Sequence, residues 1–185
     1  MILRVGLAAW IIQDGNYGEF ESGSRYRFAL EFYPSELVGL NEAPDPAIVR
    51  GTVGAEYEVR AKVIRVTNSH WVIDFGLPAF QESKPPSWAV TGAGVTGRVY
   101  LGIDPFFYFE RLKNESGMPD LFRIWQVRRI LLETTPWRET TDLTGRSVST
   151  REDVAPMFRE VPCTDSWKDD GGHAHYILEC ELLEN

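Results

Sequence analysis

The chain has 185 residues, 43% hydrophobic and 25% charged, proportions typical of a globular protein rather than a disordered one. Its formal net charge of −8 argues against tight nucleic-acid binding, which relies on Lys and Arg to neutralise phosphates. No apolar run approaches the roughly 20 residues of a membrane span. Two cysteines, Cys163 and Cys180, cannot form a disulfide framework. We therefore expect a soluble, cytoplasmic protein of one domain that is not bound to a membrane.

The N-terminal part of the chain predicts β-structure. The apolar stretch from Met1 to Ile12 holds one basic residue and runs into a turn signal, which favours a first strand over a signal peptide. From Tyr26 to Phe32, large apolar residues alternate with charged or small ones, which predicts a strand with one aromatic face. The short segment from Pro34 to Leu37 is compatible with a single helical turn.

A hairpin is predicted in the middle of the chain. Residues 57–66 alternate in the same way, residues 67–70 form a turn signal, and residues 71–76 return as a second strand. This pattern resembles the central hairpin of OB-fold barrels, in which a long curved strand, a tight turn and a strand ending near Asp-x-Gly follow one another. The resemblance implies a small barrel whose ligands contact the face of this hairpin. On this chain the contacting residues would be Arg60, Lys62, Arg65 and Trp71.

The glycine-rich segment 92–97 has the G-x-G-x-x-G spacing of dinucleotide-binding loops. That chemistry requires a helix after the glycines, whose N–H groups face the phosphates. The next residues, 98–103, instead show the alternation of a strand. We therefore predict a glycine-rich turn without a phosphate site. Two further strands are predicted, within residues 122–132 and 176–183.

The C-terminal quarter of the chain is more acidic and less regular. Residues 138–185 contain 5 basic and 11 acidic side chains, so they carry −6 of the net charge of −8. We predict a single domain in which residues 1–137 form a β-barrel core. Residues 138–172 would be a long acidic connection with a short helix after Thr150, and residues 173–185 would return a C-terminal strand to the sheet. The predicted fold class is mainly β: a small antiparallel, OB-like barrel or sandwich.

Four consecutive aromatic residues form the most unusual local feature of the sequence. Phe106, Phe107, Tyr108 and Phe109 would point to both sides of a strand, so either both faces are covered or some rings are exposed. The first alternative places them in the core. The second makes them, together with Trp125, a contact surface for a partner protein, because aromatic side chains carry much of the energy at interfaces.

Metal binding is the other chemistry that the sequence suggests. His173 and His175 are two apart on a predicted strand, so they would point the same way, and Asp170 could supply a third ligand. The third histidine, His70, is expected to be solvated at the hairpin tip. No serine or cysteine stands in a nucleophile motif, and Cys180 falls on the apolar alternation of the last strand. No cofactor is indicated.

Three classes of function follow from these observations. The leading hypothesis is a small, acidic, non-enzymatic protein that engages another protein through a β surface, as an immunity or adaptor protein would; its charge permits a basic partner. The second is an OB-like module that binds single-stranded nucleic acid or another anionic ligand. The third is a metal-dependent enzyme that uses the His173/His175 region.

Overall fold

The computed structural model describes residues 1–50, 54–141, 145 and 147–183 of the chain. The described residues are mainly β-structure, as predicted. The strands are, in chain order, β1 (Ile2–Ala8), β2 (Arg25–Phe28), β3 (Leu30–Leu40), β4 (Ala47–Arg50), β5 (Glu56–Val66), β6 (Trp71–Asp74), β7 (Pro78–Gln81), β8 (Gly94–Ile103), β9 (Arg123–Glu133), β10 (Trp137–Thr141), β11 (Ser147–Arg151), β12 (Phe158–Val161) and β13 (His175–Leu182). The helical segments are α1 (Ala9–Gln13), a π-helical turn (Phe107–Arg111) and two 3-10 turns (Leu112–Asn114 and Asp169–Gly172).

Five strands close into a barrel. Strand β8 pairs with β3 on one side and β5 on the other, and β5, β6 and β7 follow as an antiparallel meander. Strand β7 then meets β3 in parallel at Glu31 and Phe80, which closes the ring. The predicted small β-barrel is confirmed; its ring is mixed, because the contact between β7 and β3 is parallel whereas the other pairings are antiparallel. The predicted hairpin is confirmed as β5 and β6.

The remaining strands extend this barrel into a second sheet. Strand β1 meets β8 at Gly6 and Gly102, just beyond the end of β5. Strand β13 lies between β1 and β9 and is antiparallel to both, and β9 is flanked on its other side by β2 and β12. The predicted return of a C-terminal strand to the sheet is thus confirmed, with the last strand in an interior position.

One contiguous apolar core underlies the barrel and the second sheet. The alternation within residues 26–30, 57–63 and 99–101 predicts eight large inward-facing side chains, and seven of them are buried, because a period of two identifies the covered face of each strand. They are Phe28, Leu30, Tyr57, Val59, Val63, Val99 and Leu101. The eighth, Tyr26, is half-buried and its hydroxyl donates a hydrogen bond to the Glu19 carbonyl. A smaller cluster around Tyr108 and Phe122 packs outside the barrel.

Two expected helical turns are strands instead. Pro34 to Leu37 continues β3, with a register shift between Pro34 and Glu36 where it passes β8. The short helix expected directly after Thr150 does not form, because Thr150 and Arg151 lie in β11 and residues 152–157 are irregular; the short helical segment of the described part of residues 138–172 is the 3-10 turn Asp169–Gly172. Thr150 pairs with Arg138 in the hairpin of β10 and β11, which forms a separate two-stranded sheet. None of the described helices is long and apolar enough to cross a membrane. Residues 184–185 of the predicted C-terminal segment lie outside the described residues.

Candidate functional site

A pocket of about 670 Å³ lies where α1, the β10–β11 hairpin and the start of β13 come together. We name it the tryptophan pocket, because Trp10 and Trp137 both line it and are 49% and 41% exposed. The remaining lining residues are Ala8, Ala9, Gln13, Ser149, Asp170, Gly172, His173, Ala174 and His175. Its volume falls within the range of about 300–1,000 Å³ typical of ligand sites.

The wall formed by α1 is fixed by the helix period. Ile11 and Ile12 are buried against the core, so Trp10, about 100° away around the helix from Ile11, points outward. Its ring meets Phe106 edge to face, with a centroid distance of 6.3 Å. The Gln13 amide donates hydrogen bonds to the carbonyls of Ser166 and Gly172 at 2.6 and 3.0 Å. These two bonds tie the helix to the turn before β13.

Trp137 forms another part of the lining, and its indole contacts both Asp170 and Arg151. Its Nε1–H donates to both carboxylate oxygens of Asp170, each at 2.9 Å. The Arg151 guanidinium lies over the ring at 3.9 Å from its centroid and forms an ion pair with Asp170. A cation over an indole face is attracted by the ring quadrupole, so the aromatic surface is fixed before any ligand arrives.

The three residues of the metal hypothesis all line this pocket. Both histidines are exposed; His175 is the first residue of β13, whereas His173 lies before the strand, directly after the 3-10 turn. The carboxylate of Asp170, however, is already occupied by Trp137 and Arg151. Within the described residues no group of three or more His, Cys, Asp or Glu side chains could hold one metal ion. The proposed ligand set is therefore not assembled.

The aromatic run does not form a strand. After β8, the carboxylate of Asp104 accepts hydrogen bonds from the backbone N–H groups of Tyr108 and Phe109, at 3.1 and 2.8 Å. These bonds turn the chain into the π-helical segment. Tyr108 is consequently buried, and Phe107 and Phe109 are half-buried against the small outer cluster. Phe106 is half-buried beside Trp10, so it is the member of the run that adjoins the tryptophan pocket.

Two tryptophans that were candidates for surface contacts lie in the core. Trp125 is fully buried, stacks on Phe28 at 5.5 Å and donates its Nε1–H to the Phe28 carbonyl. Trp71 is buried and donates its Nε1–H to Gln81. Neither ring is available to a partner or a nucleobase, because each projects from the core face of its strand.

The basic residues of the hairpin do not form one surface. Arg60 and Lys62 are exposed on the outer face of the barrel, with Glu58 beside them on the same strand. Arg65 lies beyond a register shift in β5, where it pairs with Glu115 and donates from Nε to His70. His70 is buried rather than solvated, since this network and the turn enclose it.

Two buried carboxylates were not identified from the sequence. Glu31 is 3% exposed and accepts a hydrogen bond of 2.7 Å from the Tyr33 hydroxyl. Burial raises the pKa of Glu31 to about 7, and Asp104 adds to this rise, whereas the Tyr33 hydrogen bond opposes it. Burial likewise raises the pKa of Asp104 to about 6, against the backbone hydrogen bonds that it accepts. Glu31 occupies a polar position in the alternation of β3, so the sequence pattern alone predicts that its side chain is exposed.

Comparison with known proteins adds no further assignment. No protein-family model matches the chain, and no curated protein and no solved structure is significantly similar to it. The fold and the pocket therefore define the class to which the molecule belongs: a mainly-β protein with a closed five-strand barrel, an added sheet and an aromatic pocket at its surface.

Proposed function

We propose that this chain is a non-enzymatic binding protein and that the tryptophan pocket receives an apolar segment of a partner protein. The observation that carries the proposal is the presence of two large, exposed indoles, Trp10 and Trp137, in the lining of one pocket. Tryptophan is enriched among the residues that dominate interface energies. Each tryptophan has roughly 100 Å² of exposed surface, and burial of that surface would contribute about 2.5 kcal/mol to the binding free energy.

The pre-ordering of Trp137 supports this proposal. A side chain that is immobilised on binding costs about 0.5–1.5 kcal/mol in conformational entropy. The contacts of Trp137 with Asp170 and Arg151 already restrict its ring in the free protein. A partner that covers it therefore loses little affinity to ordering. Both described cysteines are unpaired, which agrees with the proposal of a reducing, cytoplasmic setting.

The test compares three proteins as affinity baits in an extract of the native host. They are the wild-type chain, the double variant Trp10→Ala/Trp137→Ala, and the matched control Trp167→Ala. Trp167 is the control because it is 69% exposed and does not line the tryptophan pocket. Quantitative mass spectrometry of the captured proteins should show a partner whose amount falls at least about tenfold with the double variant and is unchanged with the control.

Thermal melts of the three baits exclude unfolding as the cause of any loss. Direct titration of the purified partner should then give a Kd weakened by about 10- to 100-fold in the double variant. Equal binding by the double variant and wild type, or equal loss with Trp167→Ala, would refute the role of the tryptophan pocket. The proposal would also be refuted if the capture of every protein were independent of the two indoles.

A further inference from the structure

A second, smaller pocket of about 180 Å³ adjoins the tryptophan pocket. It lies in the seam between the barrel and the second sheet, and His175 lines both pockets. Its other lining residues are Gly54, Glu56, Tyr100, Glu133, Pro156, Phe158, Tyr176 and Ile177. The volume is that of about six water molecules in the liquid, enough for the head of one side chain.

The charge of this pocket is negative. Glu56 faces Tyr100 directly across the β5–β8 ladder, and Glu133 enters from the end of β9. Burial, together with the negative charges of Glu133 and Glu56, raises the pKa of Tyr100 to about 12. Both carboxylates therefore act on the same phenol, although they come from different layers of the fold.

One cation, Arg151, forms a long ion pair with the pocket carboxylate of Glu133, and its hydrogen bonds go to other groups. The Arg151 Nε atom lies 3.8 Å from Glu133 without a hydrogen bond, because the two terminal nitrogens of Arg151 bond the Thr135 carbonyl and Asp170. Arg98 acts on Glu56 only at longer range, since its guanidinium is exposed and bonded to Glu36 at 2.7 Å. Among the described side chains, no Lys or Arg forms an ion pair with Glu56.

The walls of the pocket are aromatic and aliphatic. Tyr100 and Phe158, which is 37% exposed, provide ring surfaces, and Ile177 provides an apolar one. Rings of this kind attract a cation through their quadrupole and cover the methylene stem of a long basic side chain. The combination of two carboxylates with such walls is complementary to a guanidinium or ammonium group on an apolar stem, and not to a solvated metal ion.

We propose that this second pocket holds a basic side chain of the partner protein, next to the apolar segment in the tryptophan pocket. The inference rests on the proposed function, which supplies the partner protein. The location of the site rests on charge complementarity and on His175, which lines both pockets. A basic partner is also favoured by the net charge of this protein, which is −8. Arginine fits best, because its planar fork can bond two carboxylates and stack on an aromatic ring.

The experiment needs no identified partner. The ¹⁵N-labelled full chain is titrated with Nα-acetyl-arginine methylamide, and in parallel with the citrulline compound, which has nearly the same shape without the charge. We expect saturable amide shifts at Tyr100, Phe158 and Ile177 with arginine alone, at concentrations up to about 50 mM. The double variant Glu56→Gln/Glu133→Gln should weaken the Kd at least about tenfold, and Glu42→Gln, an exposed glutamate that does not line the pocket, should not.

Equal shifts with the citrulline compound would overturn the inference, and so would the absence of shifts at the pocket with arginine. Trp10→Ala/Trp137→Ala should leave the arginine titration unchanged. The two proposals can therefore fail separately: the capture experiment tests the tryptophan pocket, and the titration tests the acidic one.

Discussion

Replacement of Glu31 by Gln should make the stability of this protein much less dependent on pH. The carboxyl group is buried, and its pKa of about 7 in the folded state compares with 4.5 for an exposed glutamate. Between these two values the folded state binds more protons than the unfolded state. The free energy of unfolding of the wild type therefore falls as pH rises from about 4.5 through 7.

The size of the effect follows from the same two values. At about 1.4 kcal/mol per pH unit, the wild type should lose about 2.5 kcal/mol between pH 5 and pH 8 through Glu31 alone. Asp104, with a pKa of about 6, adds a loss of the same sign. Glutamine has no charge to bury, so the Glu31 part should vanish in the variant. Above neutral pH the variant should be the more stable protein, by up to about 2 kcal/mol after the cost of its added N–H donors.

The assay is urea denaturation, followed by tryptophan fluorescence, at about pH 5, 6, 7 and 8 and constant ionic strength. Glu36→Gln is the matched control, because Glu36 is exposed on the same strand. Its pH profile should run parallel to that of the wild type within about 0.5 kcal/mol. A Glu31→Gln profile parallel to the wild type would show that the Glu31 carboxyl is not held at a raised pKa.

Two further substitutions test the packing. Gly97→Ala should lower the free energy of unfolding by about 2–3 kcal/mol, because the residue has a φ of +139° and its added Cβ would lie 2.0 Å from the Glu36 carbonyl oxygen. Gly18→Ala is the control, since nothing lies within 4 Å of its Cβ position; similar denaturation midpoints for the two variants would contradict the steric argument. Trp125→Ala should cost about 3–5 kcal/mol through the cavity left beside Phe28, and a loss below about 1 kcal/mol in denaturant titrations would place the ring outside the core.

The third glycine of the 92–97 segment shows why a motif depends on its surroundings. The strand predicted after the glycines is confirmed, but it begins earlier than expected: β8 starts at Gly94, and only Thr91 and Gly92 form the turn. Gly97 pairs with Leu37, one position beyond the register shift of β3, and the Glu36 carbonyl approaches its backbone there. The sequence shows that the glycines are not followed by a helix. Only the pairing of β3 with β8 explains why the residue at position 97 has no side chain.

Local sequence patterns predict most strands and the inward face of each. Alternation in β5 and β8 identifies Tyr57, Val59, Val99 and Leu101 as core residues, because a period of two is a local property of the chain. The same local pattern identified the final strand. It did not reveal that β13 lies between β1 and β9, since pairing partners far apart in sequence leave no local signal.

Tertiary structure alone decided what covers each polar face. Glu31 alternates with apolar residues as an exposed residue would, yet the fold buries it. The tryptophan pocket joins Trp10, Trp137 and His175 across more than 160 positions of the chain. The two-residue period of a strand predicts which side chains share one of its faces. Whether that face meets solvent, a helix or another sheet depends on long-range packing, and so the burial of a carboxylate and the assembly of a pocket are fixed only by the complete fold.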